Sequence, residues 1–434
     1  MRAGPTLTAA LVGLLLLSGC VQRVPETAPG ALTAPAPLTF AFWALSPTET
    51  ALVGKLIADF GRDHPHIAVT VLEIPNRYYD KLQTMFGAGT PPDVMVVNYG
   101  RAGDLARRGV LADLAPLLAR AGTLERELLP VALEQFRGIG PAVGRPGLYA
   151  VPQDWNPTNL LVYDREAFAA AGLAAPSAGW TWDDFAAACR KLTVRSRDPR
   201  QQRTGAAVCL YPYAATAWLW QAGGAVLSPD GRRSVLAAPA NVRAVEFVQG
   251  LVREGVVARP VPGEDRSVED FQAGRVAMAF VTPYGLSTLR KPDTGRQWGL
   301  APPLAGERPG TGCIPTGLVM AQSCAQPQAA WELIRYLATR GAQERARAAL
   351  GVPAWRPALG GAALEEGFGA EAAGVMRRAV ATARPHPISP TLSYERMSGA
   401  LREALEQVFG ADMAPARALQ AAQERLNREA AAKQ

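Results

Sequence analysis

Between residues 38 and 97 the chain alternates three strand-like runs with two amphipathic helices, and this order restricts the fold more than any other feature. Residues 38–43 are β-branched and aromatic. Ser46-Pro47-Thr48-Glu49 then has the form of a helix start, with Ser46 as N-cap, proline at the first helical position and glutamate at the third. The helix that follows places Leu52, Val53, Leu56, Ile57 and Phe60 on one face. A second strand over 66–74, a second helix over 78–86 and a third strand over 92–97 complete the series. Parallel strands need a crossover to bring the chain back, so the order predicts a parallel sheet with helices on its faces. Ligands of such sheets bind beyond the carboxyl ends of the strands, which puts residues 43–46 and 98–101 at one edge of a cleft.

A second α/β block begins near Tyr149. Strands are expected over 149–152 and 159–163, a helix over 182–192 capped by Thr181, and a helix over 241–254 with Val242, Val245, Phe247 and Leu251 inward. A short helix at 271–275, a strand at 276–281 and a turn at 283–285 follow. Beyond them come a strand at 317–321 and helices over 326–338, 371–380, 394–409 and 414–430. A chain of 434 residues with this content suits two domains.

The N-terminus is of a different kind. Arg2, an apolar run from Leu7 to Leu17 and then Leu17-Ser18-Gly19-Cys20 read as a signal peptide over 1–19 ending in a bacterial lipobox. Cys20 is then the lipidated residue that anchors the protein to a membrane. Residues 20–37 carry prolines at 25, 29, 35 and 37, which stiffen them into a tether of roughly 50 Å at about 3.1 Å per residue.

Charge and cysteines narrow the chemistry. The formal net charge is +7, yet the arginines are scattered among acids and the densest group, 195–203, has no interleaved aromatics, so nucleic acid is not an expected partner. Besides Cys20 there are cysteines at 189, 209, 313 and 324. In an oxidising compartment Cys189 and Cys209 are a possible disulfide, one ending a helix and the other on the next strand, with 313 and 324 left open. No Cys-x-x-Cys, His-Glu-x-x-His, Gly-x-Ser-x-Gly or P-loop occurs, and there are three histidines. No catalytic residue, metal or cofactor is therefore expected. A secreted glycoside-acting enzyme is a remote alternative, since its two carboxylates about 5 Å apart carry no sequence signature.

Several words of the chain resemble one family in order. Tyr79–Gly89 with Thr90-Pro91-Pro92-Asp93-Val94, then Gly147–Asp154, Asn159–Asp164 and Thr181-Trp182-Asp183-Asp184-Phe185 are similar to passages of the extracellular solute-binding proteins of carbohydrate-uptake ABC transporters. Gly223-Gly224, Phe271–Met278 and Ala329–Leu333 continue the series. The resemblance implies a two-lobed α/β fold of the maltose-binding type, each lobe a mainly parallel sheet flanked by helices, with extra C-terminal helices. Lobe one is expected over 38–156 plus 303–352, lobe two over 157–302 plus 353–434, with crossings near 156–158, 301–304 and 351–354. It further implies a monomer that carries a mono- or oligosaccharide or polyol to ABC permease subunits in the membrane. Glycerol-3-phosphate or its phosphodiesters are the alternative ligand.

Sugars are held by aromatic faces and by a few well-placed polar groups, because a buried polar group left unpaired costs about 1–3 kcal/mol. Placed on this chain, the resemblance implies ligand contacts at Trp43, Ser46 and Thr48 after the first strand, and at Asn98, Tyr99 and Arg101 after the third. Asp154, Trp155 and Asn156 stand at the first crossing. Tyr211 and Tyr213, Tyr284, Gly317, Trp355 with Arg356, and Tyr394 complete the set. A phosphate would draw on Arg101 and Arg356.

Overall fold

Strand β1 (Ala36–Trp43) buries Leu38, Phe40, Ala41 and Phe42, so both of its faces are covered, as an inner parallel strand requires. A computed structural model describes residues 35–137, 147–198, 200–261, 264–290 and 297–432. The signal peptide, Cys20 and most of the tether lie outside them. The last tether positions, Ala36 and Pro37, belong to β1, where they pair with Ile67 and Ala68.

The remaining strands are β2 (Ile67–Ile74), β3 (Val94–Asn98), β4 (Val151–Pro152), β5 (Leu160–Asp164), β6 (Thr204–Ala207), β7 (Val276–Val281), β8 (Trp298–Ala301), β9 (Thr311–Cys313), β10 (Thr316–Met320) and β11 (Ala383–Pro385). One sheet has the order β2-β1-β3-β10-β4, another β6-β7-β5-β8, and β9 pairs with β11. Both large sheets are mixed: in each, one strand, β10 in the first and β5 in the second, runs against the others, which share one direction as expected. The cause lies in the crossings. Strands built within a sheet's own run of chain, such as β1, β3, β7 and β8, end at the crossing edge. Strands β5 and β10 arrive through a crossing and begin there, so they run antiparallel to their neighbours. Strand β4, expected to open the second block, instead closes the first sheet.

Local signals act as the sequence suggests. Ser46 Oγ accepts the Glu49 N–H at 3.2 Å, and the helix Pro47–Asp63 buries Val53, Leu56 and Phe60. Each such fully buried side chain stabilises by roughly 1.5–3 kcal/mol. Thr181 and Asp184 form a reciprocal capping box. The helix Pro212–Gln221 has every residue but Tyr213 buried, the mark of a central helix. It packs against the helices Pro239–Glu254 and Tyr394–Gly410, on both of which the helix Pro415–Ala431 rests, and all four share the core of the second sheet. Among the described residues no helix is long and apolar enough to cross a membrane.

Three chain segments join the two sheets side by side. Thr158 N donates to Gly312 O, Ile314 N to Asn156 O, Gln153 N to Thr316 O and Trp155 N to Val352 O. The stretch 312–316 therefore runs alongside 153–158. Residues 305–310 remain with the second sheet's helices: Trp182 N donates to Ala305 O, Gln221 Nε2 to Gly310 O, and Arg243 pairs with Glu307.

The Cys189–Cys209 bridge is also corrected. Both thiols are free and buried. Cys189 packs against Gly205, four residues before Cys209, and at about 3.3 Å per extended residue that offset is roughly 13 Å, beyond a disulfide's reach.

Candidate functional site

The edges of the two sheets that adjoin the crossings define the site. Trp43 ends β1, Asn98 ends β3 and sits opposite Thr316, which begins β10, and Pro152 ends β4 beside Gly317. On the second sheet Leu160 begins β5 opposite Val281 at the end of β7, with Ala301 of β8 next to Leu161. Seven residues separate Pro152 from Leu160, so the crossing holds these edges near one another. The turns that leave them carry most of the expected contacts.

The first sheet's rim is aromatic. Trp43 meets Tyr78 edge-on at 5.4 Å and Tyr79 at 6.1 Å. Tyr79 Oη accepts the Asn98 N–H at 3.1 Å, and its ring lies under the Arg101 guanidinium at 4.9 Å. Burial pushes the Tyr79 phenol up, so it remains neutral. Asn98 Oδ1 caps the next helix at Arg101 N, and Arg101 Nη2 reaches Glu395 at 2.7 Å, on the C-terminal helix that packs against the second sheet. Tyr99 is buried, stacks on His386 and meets Tyr394 edge-on at 5.2 Å. Gly100 has no Cβ, and the Tyr394 ring fills that space. A small cavity of about 30 Å³ brings together Tyr99, Tyr213, Thr216, His386, Tyr394 and Ser398.

His386 was absent from the expected set. Its ring stacks on Tyr99 and meets Trp220 at a tilt, and its main chain is held at both ends by Gln135, N–H to Oε1 at 2.6 Å and Nε2 to C=O at 2.9 Å. Burial lowers its pKa to about 3, so the imidazole is neutral. The available signal was a histidine between Pro385 and Pro387, in a chain with three histidines. Tyr79 and Glu395 were missed too, because each adjoins its partners in space and not in sequence.

The crossing residues have other duties. Asp154 is buried, and its carboxylate accepts the Thr316 N–H at 2.7 Å and Oγ1–H at 2.6 Å, tying the first crossing to the second. Burial pushes its pKa up to about 6 against the pull of Arg345 and these hydrogen bonds. Asn156 Oδ1 accepts the Val352 N–H at 3.1 Å. Trp155 corrects the expectation: it is 0% exposed and packs with Leu160, Val352 and Ala354, so it is core.

Other positions fall apart from the rim. Gly317 leaves room for Phe136 and Ala150 inside the first core and offers no surface to a ligand. Trp355 donates Nε1–H to Glu127 at 2.9 Å in a groove with Asp63, His64 and Tyr336, at the far end of the helix Pro47–Asp63 from Ser46. Arg356 is exposed beside it. Tyr211 stacks on Tyr213 at 5.7 Å but lines a separate groove with Arg402 and Phe409. Both Trp218 and Trp220 are buried. Ser46 spends its hydroxyl on the cap, Thr48 is exposed, and Tyr284, 50% exposed, stands in the first turn of the helix Pro283–Leu289, which follows β7 where the sequence suggested only a turn. Among the described residues no group of three or more His, Cys, Asp or Glu side chains is placed to hold a metal ion.

Residues 46–344 match the family model of bacterial extracellular solute-binding proteins. Solved structures are similar along nearly the whole chain. An ABC substrate-binding protein of Listeria monocytogenes, in complex with cycloalternan, superposes with TM-score 0.78 at 20% identity over 91% of this chain and 98% of that one. The GacH receptor of Streptomyces glaucescens, solved without ligand and with acarbose, gives 0.75 at 20% over 92% and 100%. The sugar-binding protein MalE of Xanthomonas citri gives 0.75 at 23% over 91% and 98%. These likenesses show a two-lobed α/β fold of the maltose-binding type. A curated relative described as an uncharacterized lipoprotein of Streptomyces antibioticus is 31% identical over 202 residues, 45% of this chain and 41% of the relative. The match thus spans about two-fifths of that protein's length.

Proposed function

The chain belongs to the family of bacterial extracellular solute-binding proteins, and we propose that it captures a neutral sugar or polyol between two closing lobes and hands it to a membrane ABC permease. The observation that carries this reading is the composition of the rim. Trp43, Tyr79, Tyr213, Tyr284 and Tyr394 supply aromatic faces at or beside the facing edges, while Arg101 is already paired with Glu395. Aromatic faces suit the C–H side of a sugar ring, and a site with its charge internally matched favours an uncharged ligand. The solved relatives bound to cycloalternan and acarbose point the same way.

The phosphodiester alternative loses its two arginines, one to Glu395 and the other to the distant neighbourhood of Trp355. The contacts we assign are Trp43, Asn98, Arg101, Tyr213, Tyr284 and Tyr394, joined by Tyr79, with the buried Tyr99 and His386 supporting Tyr394 from behind. We assign lobe one to residues 36–153 and 316–341 and lobe two to 159–312 and 354–432, with the crossings between them. Binding without catalysis, a monomeric state, and a lipid anchor at Cys20 outside the cytoplasm belong to the same reading. The lipoprotein relative supports the anchor.

Closure is a population shift, driven by the difference between ligand affinity for the closed and open forms. A thermal-shift screen tests the reading with mono-, di- and trisaccharides, polyols and glycerol phosphodiesters. A ligand at 100 times its Kd adds about 2.7 kcal/mol of stability. A rise with a sugar or polyol series supports the proposal; a rise with the phosphodiesters alone replaces it.

A further inference from the structure

Glu49, in the first turn of the helix Pro47–Asp63, is 4% exposed. Its Oε2 accepts the Leu45 N–H at 3.2 Å, and Ser46 Oγ holds its own N–H, so the turn after Trp43 is fastened from below. Its Oε1 pairs with Arg345 Nη1 at 2.8 Å, in the short helix Ala342–Arg347 that leads into the third crossing. Arg345 Nη2 donates to Leu350 O at 3.3 Å, one residue before Gly351. The charge of Arg345 also favours the ionised form of Asp154, which grips Thr316. Gln153 Nε2 donates to Thr316 Oγ1 at 2.9 Å. Trp43, Glu49, Gln153 and Arg345 meet again around one cavity of about 20 Å³.

We propose that Arg345 is a positioning residue for ligand capture, which ties the Trp43–Ser46 rim, through Glu49, to the three crossings about which the lobes turn. The proposal rests on the clamp reading above. A guanidinium suits the role because its planar fork donates in several fixed directions at once, where a lysine ammonium is a compact point charge. One cation here serves two buried carboxylates. A displaced rim therefore disturbs the charge balance at the hinge, since a buried ion deprived of its partner is strongly destabilised. Ligand seated against Trp43 acts on the hinge by this route.

Hydrogen exchange of the full-length protein without ligand tests the coupling. Glu49→Gln is compared with Thr50→Ala, a change on the same helix whose hydroxyl bonds Glu73 on the surface. The expected result for Glu49→Gln is exchange at least tenfold faster at residues 312–316 and 351–354, with β3 unchanged within twofold, and no hinge effect from Thr50→Ala. Arg345→Lys is expected to behave like Glu49→Gln. Faster exchange confined to residues 45–50 overturns the proposal, as does an equal increase across β3, which marks general destabilisation. Should either variant fold poorly, the apolar pair Glu49→Met with Arg345→Met decides. Restored β3 protection with a still fast hinge supports coupling, and full restoration of the hinge refutes it. No ligand enters the experiment, so a negative result leaves the sugar screen untouched, and a failed screen leaves this result standing.

Discussion

Tyr99 and His386 lie face to face, ring centroids 5.1 Å apart and planes inclined by 23°, although 287 positions separate them along the chain. The contact joins the start of the helix after β3 to the segment that follows β11, and Trp220 also meets the imidazole, at 5.1 Å and a tilt of 55°. Its burial sets a pH dependence. The His386 pKa falls to about 3 in the fold, below its ordinary value near 6.5, so its contribution is complete above pH 6.5 and is lost as pH falls toward 3. Asp154 acts in the opposite sense: its pKa rises to about 6, so its contribution is complete below about pH 3.8 and is lost as pH rises through 6. Each slope is about 1.4 kcal/mol per pH unit. Between pH 4 and 6 the two largely cancel. Urea unfolding across this range is expected to show a shallow profile in the wild type. In Asp154→Asn stability is expected to fall with acidification, and in His386→Gln to rise.

Gly100 and Tyr394 form a fitted pair. A methyl group at Gly100 collides with the Tyr394 ring, and overpacking of this kind costs about 1–3 kcal/mol. Gly100→Ala is expected to destabilise within that range, and adding Tyr394→Ala is expected to recover part of the loss. Chemical denaturation of the double-mutant cycle measures the coupling. Strict additivity would show that the ring does not occupy that space.

Two aromatic residues of the expected site part company. Trp155→Ala is expected to cost about 3–5 kcal/mol, because the indole is fully buried. Tyr284→Ala, at an exposed position in the first turn of the helix Pro283–Leu289, is expected to change stability by less than about 0.5 kcal/mol while weakening ligand binding tenfold or more. Melting curves and titration with the ligand found by thermal shift separate the two effects.

The thiol state is equally open to measurement. Cys189, Cys209 and Cys313 are buried and Cys324 is half-buried, all as free thiols. Thiol titration of the unfolded protein without reductant is expected to find these four, with little reaction in the native state. Reductant is expected to leave the melting temperature unchanged. Fewer than four thiols would restore a disulfide.

Much of the fold was legible because its signals are local. Hydrophobic period placed the helix Pro47–Asp63 and strands β1, β2, β3, β5 and β7. Ser46 and Thr181 announced their caps, since a cap is satisfied within three residues. The words shared with a family carried the family and the two-lobed α/β fold. Aromatic residues at Trp43, Tyr99 and Tyr394 could be nominated from position alone.

What only the tertiary structure decided was direction and partnership. Whether Trp155 faces the cleft or the core, whether Arg101 is available or held by Glu395, and whether Cys189 reaches Cys209 all turn on segments far apart in the chain. So does the mixed sense of the sheets, set by where β5 and β10 enter from a crossing. The sequence by itself determined the family, the strands β1, β2, β3, β5 and β7 and the capped starts of the helices at Ser46 and Thr181, because those depend on neighbours within a few residues. The tertiary structure decided which side chains meet, because burial and charge pairing are settled by residues such as His386 and Arg345 that the chain brings in from hundreds of positions away.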